Sequence, residues 1–153
     1  HTISNLLLFA LLILLTALFV GSEFSLVKVR TSRIDQLVSE GNSAAKIVQH
    51  MVHHLDYYLS ACQLGITVTA LGLGWIGEST FESLIHPVLH MLHIPTDMSK
   101  PITVFLSFFI VTFIHVVIGE LAPKSLAIQY AEKMTLAFAR PLYFFGIIMK
   151  PLI

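Results

Sequence analysis

The chain has 153 residues, of which 56% are hydrophobic and only 12% charged, and its mean hydropathy is +0.82. Soluble domains carry about a quarter charged residues, so a single water-soluble core is excluded and an all-α integral membrane protein is expected. The formal net charge is zero, which gives no electrostatic reason for a nucleic-acid partner, and the lone Cys62 cannot form an internal disulfide.

From Ile3 to Val20 only Ser4, Asn5 and Thr16 are polar. With the residues that follow, a first span is predicted over about 3–27, long enough to cross the hydrocarbon. No basic flank precedes it and no small-residue cleavage site follows, so it reads as a span rather than a signal peptide. The run meets Gly21-Ser22-Glu23-Phe24-Ser25, then Lys28, Arg30 and Arg33. Basic residues beside a span mark the cytoplasmic side, so the N-terminus is expected outside. Ser22 and Ser25 share a helix face; they serve either close helix packing or a polar site.

Residues 32–54 are amphipathic and too polar to span. They predict an inner-face hairpin of two helices, about 32–40 and 43–54, with Ser32–Asp35 and Asn42 as local caps. His50, His53 and His54 sit at its end; a transition-metal site is conceivable at that spacing, and a polar interfacial face is the favoured reading. A second span is predicted over 55–76, rich in small and hydroxyl residues. Gly65, Thr69 and Gly72 fall on one face and invite close approach of another helix. Gln63 and Thr67, four apart, read either as interhelical hydrogen-bonders or as groups lining a polar pocket.

An outer amphipathic helix is predicted over 79–93, with His86, His90 and His93 on a solvated face. Pro101 to Gly119 carries no formal charge over nineteen residues, with His115 its one titratable group; a third span is expected over 101–121. It delivers Glu120, Pro123 and Lys124 to the inner side. An acid at the end of such a run needs a role or a partner. Pro123 has no N–H, so an α-helix through it leaves the Gly119 carbonyl without its bond. Two such oxygens suit a hard cation; the alternative is a helix end with Glu120 in water or paired with Lys124. The remaining 124–153 is interrupted by Arg140-Pro141 and Lys150-Pro151; a fourth span over 134–153 fits by length and would put the C-terminus outside, but the charges and prolines favour an interfacial helix lying along the inner face, which makes three spans and a cytoplasmic C-terminus. His1 suggests a processing remnant, and the apolar end at Ile153 suggests that more chain follows.

In this topology Ser22, Ser25, Gln63, Thr67, Gly119 and Glu120 converge in the inner half of the membrane, where broken helices are tolerated around a cavity. Gly21-Ser22-Glu23-Phe24-Ser25-Leu26, Leu64-Gly65-Ile66-Thr67 and Gly119-Glu120-Leu121-Ala122-Pro123-Lys124 resemble the transmembrane domain of the CorC/cyclin M (HlyC/CorC) family of magnesium transporters. The resemblance covers essentially the whole chain. It implies a homodimer of three-span subunits in the plasma membrane, with an inner hairpin and a belt-like helix. Cytoplasmic CBS domains would follow. It also implies magnesium export through an inward-facing polar cavity, with sodium as a coupling ion, and no enzymatic activity. By position, Ser22, Ser25, the Gly119 carbonyl and Glu120 are the implied ligands. Many members have asparagine where this chain has Ile66, which cannot ligate; either Gln63 or Thr67 substitutes, or this chain holds its ion differently. The competing readings are a non-transporting membrane sensor or scaffold, and a transition-metal carrier using the histidines.

Overall fold

A computed structural model describes residues 2–152, which form helices joined by short turns, with no strand among them. The elements are α1 (Thr2–Lys28), α2 (Thr31–Ser39), α3 (Ser43–His53), α4 (Leu55–Met91), α5 (Thr96–Ile114), a π-helical segment (His115–Leu121), α6 (Ala122–Gln129), α7 (Ala131–Ile148) and a 3₁₀ turn (Lys150–Leu152). Three stretches are long and apolar enough to cross a membrane: Ile3–Lys28, Leu55–Met91 and Asp97–Gln129. Leu7, Leu11 and Leu14 of α1 and Phe105, Phe108 and Phe109 of α5 stand exposed, as lipid-facing side chains do.

Helix α1 is central: α4, the π segment, α6 and α7 all pack on it. Between apolar helices in lipid the drive is close packing rather than the hydrophobic effect, and small residues supply it. A Cβ on Gly65 would lie 2.7 Å from three atoms of the Phe19 ring, and one on Gly72 3.2 Å from Leu12. Thr16 of α1 donates to Thr69 of α4 at 2.7 Å, with both side chains buried.

The α2–α3 hairpin turns at Gly41, whose φ of +88° is a conformation that side-chain-bearing residues rarely adopt. The Asn42 side chain accepts from Ala45 N–H at 3.0 Å and caps α3. No cap forms at Ser32: the N-cap of α2 is Arg30, without a side-chain bond, and Asp35 accepts from Gln49 instead. Ile34, Ala45, Val48 and Met51 bury the hairpin against Phe19, Leu26, Tyr58 and Leu142.

Two expected boundaries differ. A separate outer helix over 79–93 is not found; α4 runs on unbroken to Met91. Gly77 is a contact point rather than a breaker, since a Cβ there would strike Phe9 at 2.8 Å and Val111 at 2.9 Å. Pro87 is accommodated inside α4 on its exposed side. The helix expected over 124–153 is instead divided at Tyr130 (φ −127°, ψ 44°) into α6, continuous with the third span, and α7. Its last residue, Ile153, lies outside the described residues, as does His1. After the break α7 crosses α1, α3 and α4, with Phe145 against Phe19 (4.6 Å between centroids) and Tyr57 Oη bonded to the Gly146 carbonyl.

Candidate cation site

The third span changes register just before its acid. Over His115–Leu121 the backbone bonds run i→i+5, and the Ala122 N–H reaches the Val117 carbonyl. Such segments are rare and frequent at functional sites. The next donor in line is Pro123, which has none. From Leu121 onward the α register resumes, with the Leu121 carbonyl opening α6. Between these points the carbonyls of Ile118, Gly119 and Glu120 face a single backbone donor, the N–H of Lys124. Two of the three therefore lack a helical partner. The sequence expectation of one freed carbonyl at Gly119 is thus enlarged by the π register.

The same register explains the partner of Glu120. Residues five apart on an α-helix point about 140° away from each other; in i→i+5 register they stack. His115 Nε2 lies 3.7 Å from Glu120 Oε1, with the two side chains 20% and 35% exposed. That is too long for a hydrogen bond, and the buried Nε2 has no other partner. Lys124 does not pair with the acid; its ammonium lies 5.1 Å from the centre of the Phe24 ring, a cation–π contact.

Gly119 is buried against α1. A Cβ there would meet His115 Cδ2 at 3.1 Å and Thr16 Cγ2 at 3.4 Å. The absence of a side chain therefore lets the third span approach the Thr16–Thr69 pair. One helical level away, Gly21 packs near Pro123, 3.8 Å from where its Cβ would stand.

The second span contributes a different pair. Gln63 Nε2 donates to Glu23 Oε1 at 2.9 Å, and Thr67 Oγ1 donates to the Gln63 carbonyl at 2.9 Å. Glu23 lies seven residues after Thr16, close to two turns, so both face α4. Ser22 and Ser25 lie about 100° and 160° round the helix from Glu23. They are 1% and 0% exposed. Ser25 Oγ donates to the Ser22 carbonyl at 3.1 Å, and the Ser22 hydroxyl is buried without a partner.

Of the six candidates, the structure therefore joins Gln63 with Thr67, and Gly119 with Glu120. Ser22 and Ser25 sit together on another face of α1. Two groups not among the six hold central positions. Glu23 is the partner of Gln63, and it was legible as a second acid at a span end. His115 is the neighbour of Glu120, legible as the one titratable group in its span but not as a neighbour at α-helical spacing. Among the described residues no cluster of three or more His, Cys, Asp or Glu is gathered. The oxygens on offer are the carboxylates of Glu120 and of Glu23, the latter held by Gln63, with carbonyls and hydroxyls, the donor set of a hard cation rather than of a soft transition metal. His53, His54, His86, His90 and His93 are exposed.

Residues 7–153 match the family model described as the cyclin M transmembrane N-terminal domain. The chain is 53% identical over 152 residues to the UPF0053 protein YrkA of Bacillus subtilis, covering 99% of this chain and 35% of that protein. It is 54% identical over 151 residues to UPF0053 protein YhdP of the same organism, covering 99% and 34%. It is 31% identical over 151 residues to the uncharacterized protein Rv1841c of Mycobacterium tuberculosis, covering 99% and 43%. The chain thus spans about a third of the length of its Bacillus relatives. Three apolar spans, a register shift at the Gly-Glu-Leu-Ala-Pro-Lys segment and a match across nearly the whole chain agree, and the chain belongs to the family of cyclin M transmembrane N-terminal domains.

Proposed function

We propose that this domain moves a divalent cation, magnesium, across the plasma membrane, out of the cytoplasm, through a polar cavity open to the inside. Glu120 is the charged ligand. The two carbonyls among Ile118, Gly119 and Glu120 that lack a helical donor supply neutral oxygens, Ser22 and Ser25 supply hydroxyls from α1, and Gln63 and Thr67 complete or hydrate the shell. Sodium is the coupling ion, two copies form the working unit, and the N-terminus lies outside. CBS domains on the cytoplasmic side, in the part of the protein beyond this domain, regulate it.

One observation carries the reading: the i→i+5 register and Pro123 together leave two carbonyls in the turn of Glu120 without a helical N–H donor. Unpaired carbonyls and a carboxylate at membrane depth are costly, and a desolvated cation offsets that cost. The buried, partnerless Ser22 hydroxyl is a further oxygen in search of a contact. Gln63 is held by Glu23, so its recruitment as a ligand requires that bond to open.

The sensor or scaffold reading has its own support, because the Glu23–Gln63 and Thr16–Thr69 bonds are interhelical pairs of the kind that simply hold helices together. Flux separates the two. The full-length protein, purified and reconstituted into vesicles containing a magnesium-sensitive dye, is expected to pass magnesium down its gradient faster than protein-free vesicles. Equal rates would leave the scaffold reading standing.

A further inference from the structure

A concavity lies where the end of α3, the start of α4 and the end of α7 meet. Its volume is about 330 Å³ and it is lined by His50, His54, Tyr57, Tyr58, Tyr143, Gly146, Ile147 and Lys150. That is the lower end of the range for small-molecule sites, about 300–1,000 Å³. The site is built from rings that hold one another. His50 and His54 lie 4.5 Å apart, His50 meets Tyr143 edge-on at 5.7 Å and Tyr58 at 6.1 Å, and Tyr57 meets Tyr58 at 5.1 Å. The Tyr57 hydroxyl is committed to the Gly146 carbonyl, which ties α4 to α7 across the floor. His54 Nδ1 donates to the His50 carbonyl at 3.0 Å.

The lining contains no carboxylate. Its one full charge is the Lys150 ammonium, and the hydroxyls of Tyr58 and Tyr143 add neutral donors. An ammonium with neutral donors and no acid selects an anion. The setting selects which anion. The concavity opens at the first residues of the second membrane span, Leu55–Met91, and Phe144, Ile147 and Ile148 of α7 stand 65%, 53% and 52% exposed beside it. A soluble phosphate has no use for that apolar flank, whereas a phospholipid has an acyl chain to lay along it. Interfacial helices that pair basic residues with exposed aromatic and aliphatic side chains bind anionic lipid surfaces.

We infer that this concavity is a binding site for the phosphate headgroup of an anionic phospholipid, with Lys150 as its charged anchor, the tyrosine–histidine rings as its walls and the exposed face of α7 as the acyl-chain track. The site is separate from the Glu120 region, and the inference does not depend on the transport reading. Lipid held there would clamp α7 to the hairpin and to the base of α4.

The test uses the full-length protein in mild detergent, titrated with phosphatidylglycerol or phosphatidylcholine and read by native mass spectrometry. Phosphatidylglycerol is expected to give discrete adducts at concentrations where phosphatidylcholine gives few. Lys150→Gln is expected to weaken those adducts about fivefold, the scale of one basic residue at an anionic surface, while Lys150→Arg retains them. Tyr143→Ala, which opens a wall without changing charge, is expected to weaken them as well. The inference is overturned if the two lipids bind alike, if Lys150→Gln leaves the adducts unchanged, or if millimolar inorganic phosphate displaces phosphatidylglycerol, which would mark a soluble-anion site instead.

Discussion

Gly119 and Gly65 show how much a single missing side chain sets in this molecule. A methyl group at Gly65 would stand 2.7 Å from three atoms of the Phe19 ring, a rigid obstacle at the contact between the first two spans. Overpacking of this kind costs roughly 1–3 kcal/mol. Gly65→Ala is therefore expected to lower the thermal unfolding midpoint in detergent by several degrees, and an unchanged midpoint would contradict the packing described. At Gly119 the added methyl meets His115 at 3.1 Å and Thr16 at 3.4 Å, contacts that a few tenths of an ångström relieve. Gly119→Ala is expected to keep the fold with a smaller loss of stability but to slow magnesium flux disproportionately, because it displaces the backbone that presents the free carbonyls. Equal, small effects on both readouts would count against that carbonyl as a ligand. Glu120, Gly119 and Pro123 were legible as a candidate site because an acid and a proline ending an apolar run are chemically conspicuous. Glu23 and His115 were less so, since their partners depend on which helix faces which.

Among the elements, the π-helical segment matters most. Nothing in the composition of His115–Leu121 distinguishes i→i+5 from i→i+4 bonding, so the sequence reads there as ordinary span. A π segment is equivalent to one residue inserted into an α-helix. Deleting Val117 is expected to restore α register, leave helix content by circular dichroism unchanged, keep His115 and Glu120 on one face now that they are four apart, and lower flux sharply, because only the carbonyl four residues before Pro123 is then left without a donor. Retained flux in that deletion would show that the register is incidental. The Thr16–Thr69 bond is a smaller matter: membrane hydrogen bonds of this type average about 0.6 kcal/mol, so Thr16→Val should barely move the unfolding midpoint. The other departures from the sequence reading have tertiary causes. Gly77 reads as a helix end but is a contact with Phe9 and Val111. The break at Tyr130 carries no glycine or proline signal; just beyond it Glu132 meets Arg33 at 3.1 Å as α7 folds back on the hairpin.

For the whole molecule, three spans and a short two-helix hairpin between the first two were readable from hydropathy and from the polar character of 32–54, since lipid length and backbone satisfaction leave few alternatives. How the spans face one another was not readable, because all three are apolar nearly all round; glycine contacts and paired threonines settle it. The proposed two-copy assembly predicts that the full-length protein in mild detergent has a native mass of two chains, and a single-chain mass would contradict it. The proposed orientation predicts that a cysteine placed near Arg30 in a Cys62→Ala background is labelled from the cytoplasmic side only.

The most direct measurement compares magnesium efflux from loaded vesicles for the wild-type protein and Glu120→Gln, with each protein's unfolding midpoint recorded alongside. The substitution removes the charge but keeps the shape. The account predicts that efflux falls to the protein-free background while the midpoint changes little. Efflux at the wild-type rate, or a loss of efflux explained by a collapsed midpoint, would contradict the claim that Glu120 is the charged ligand of the transported ion.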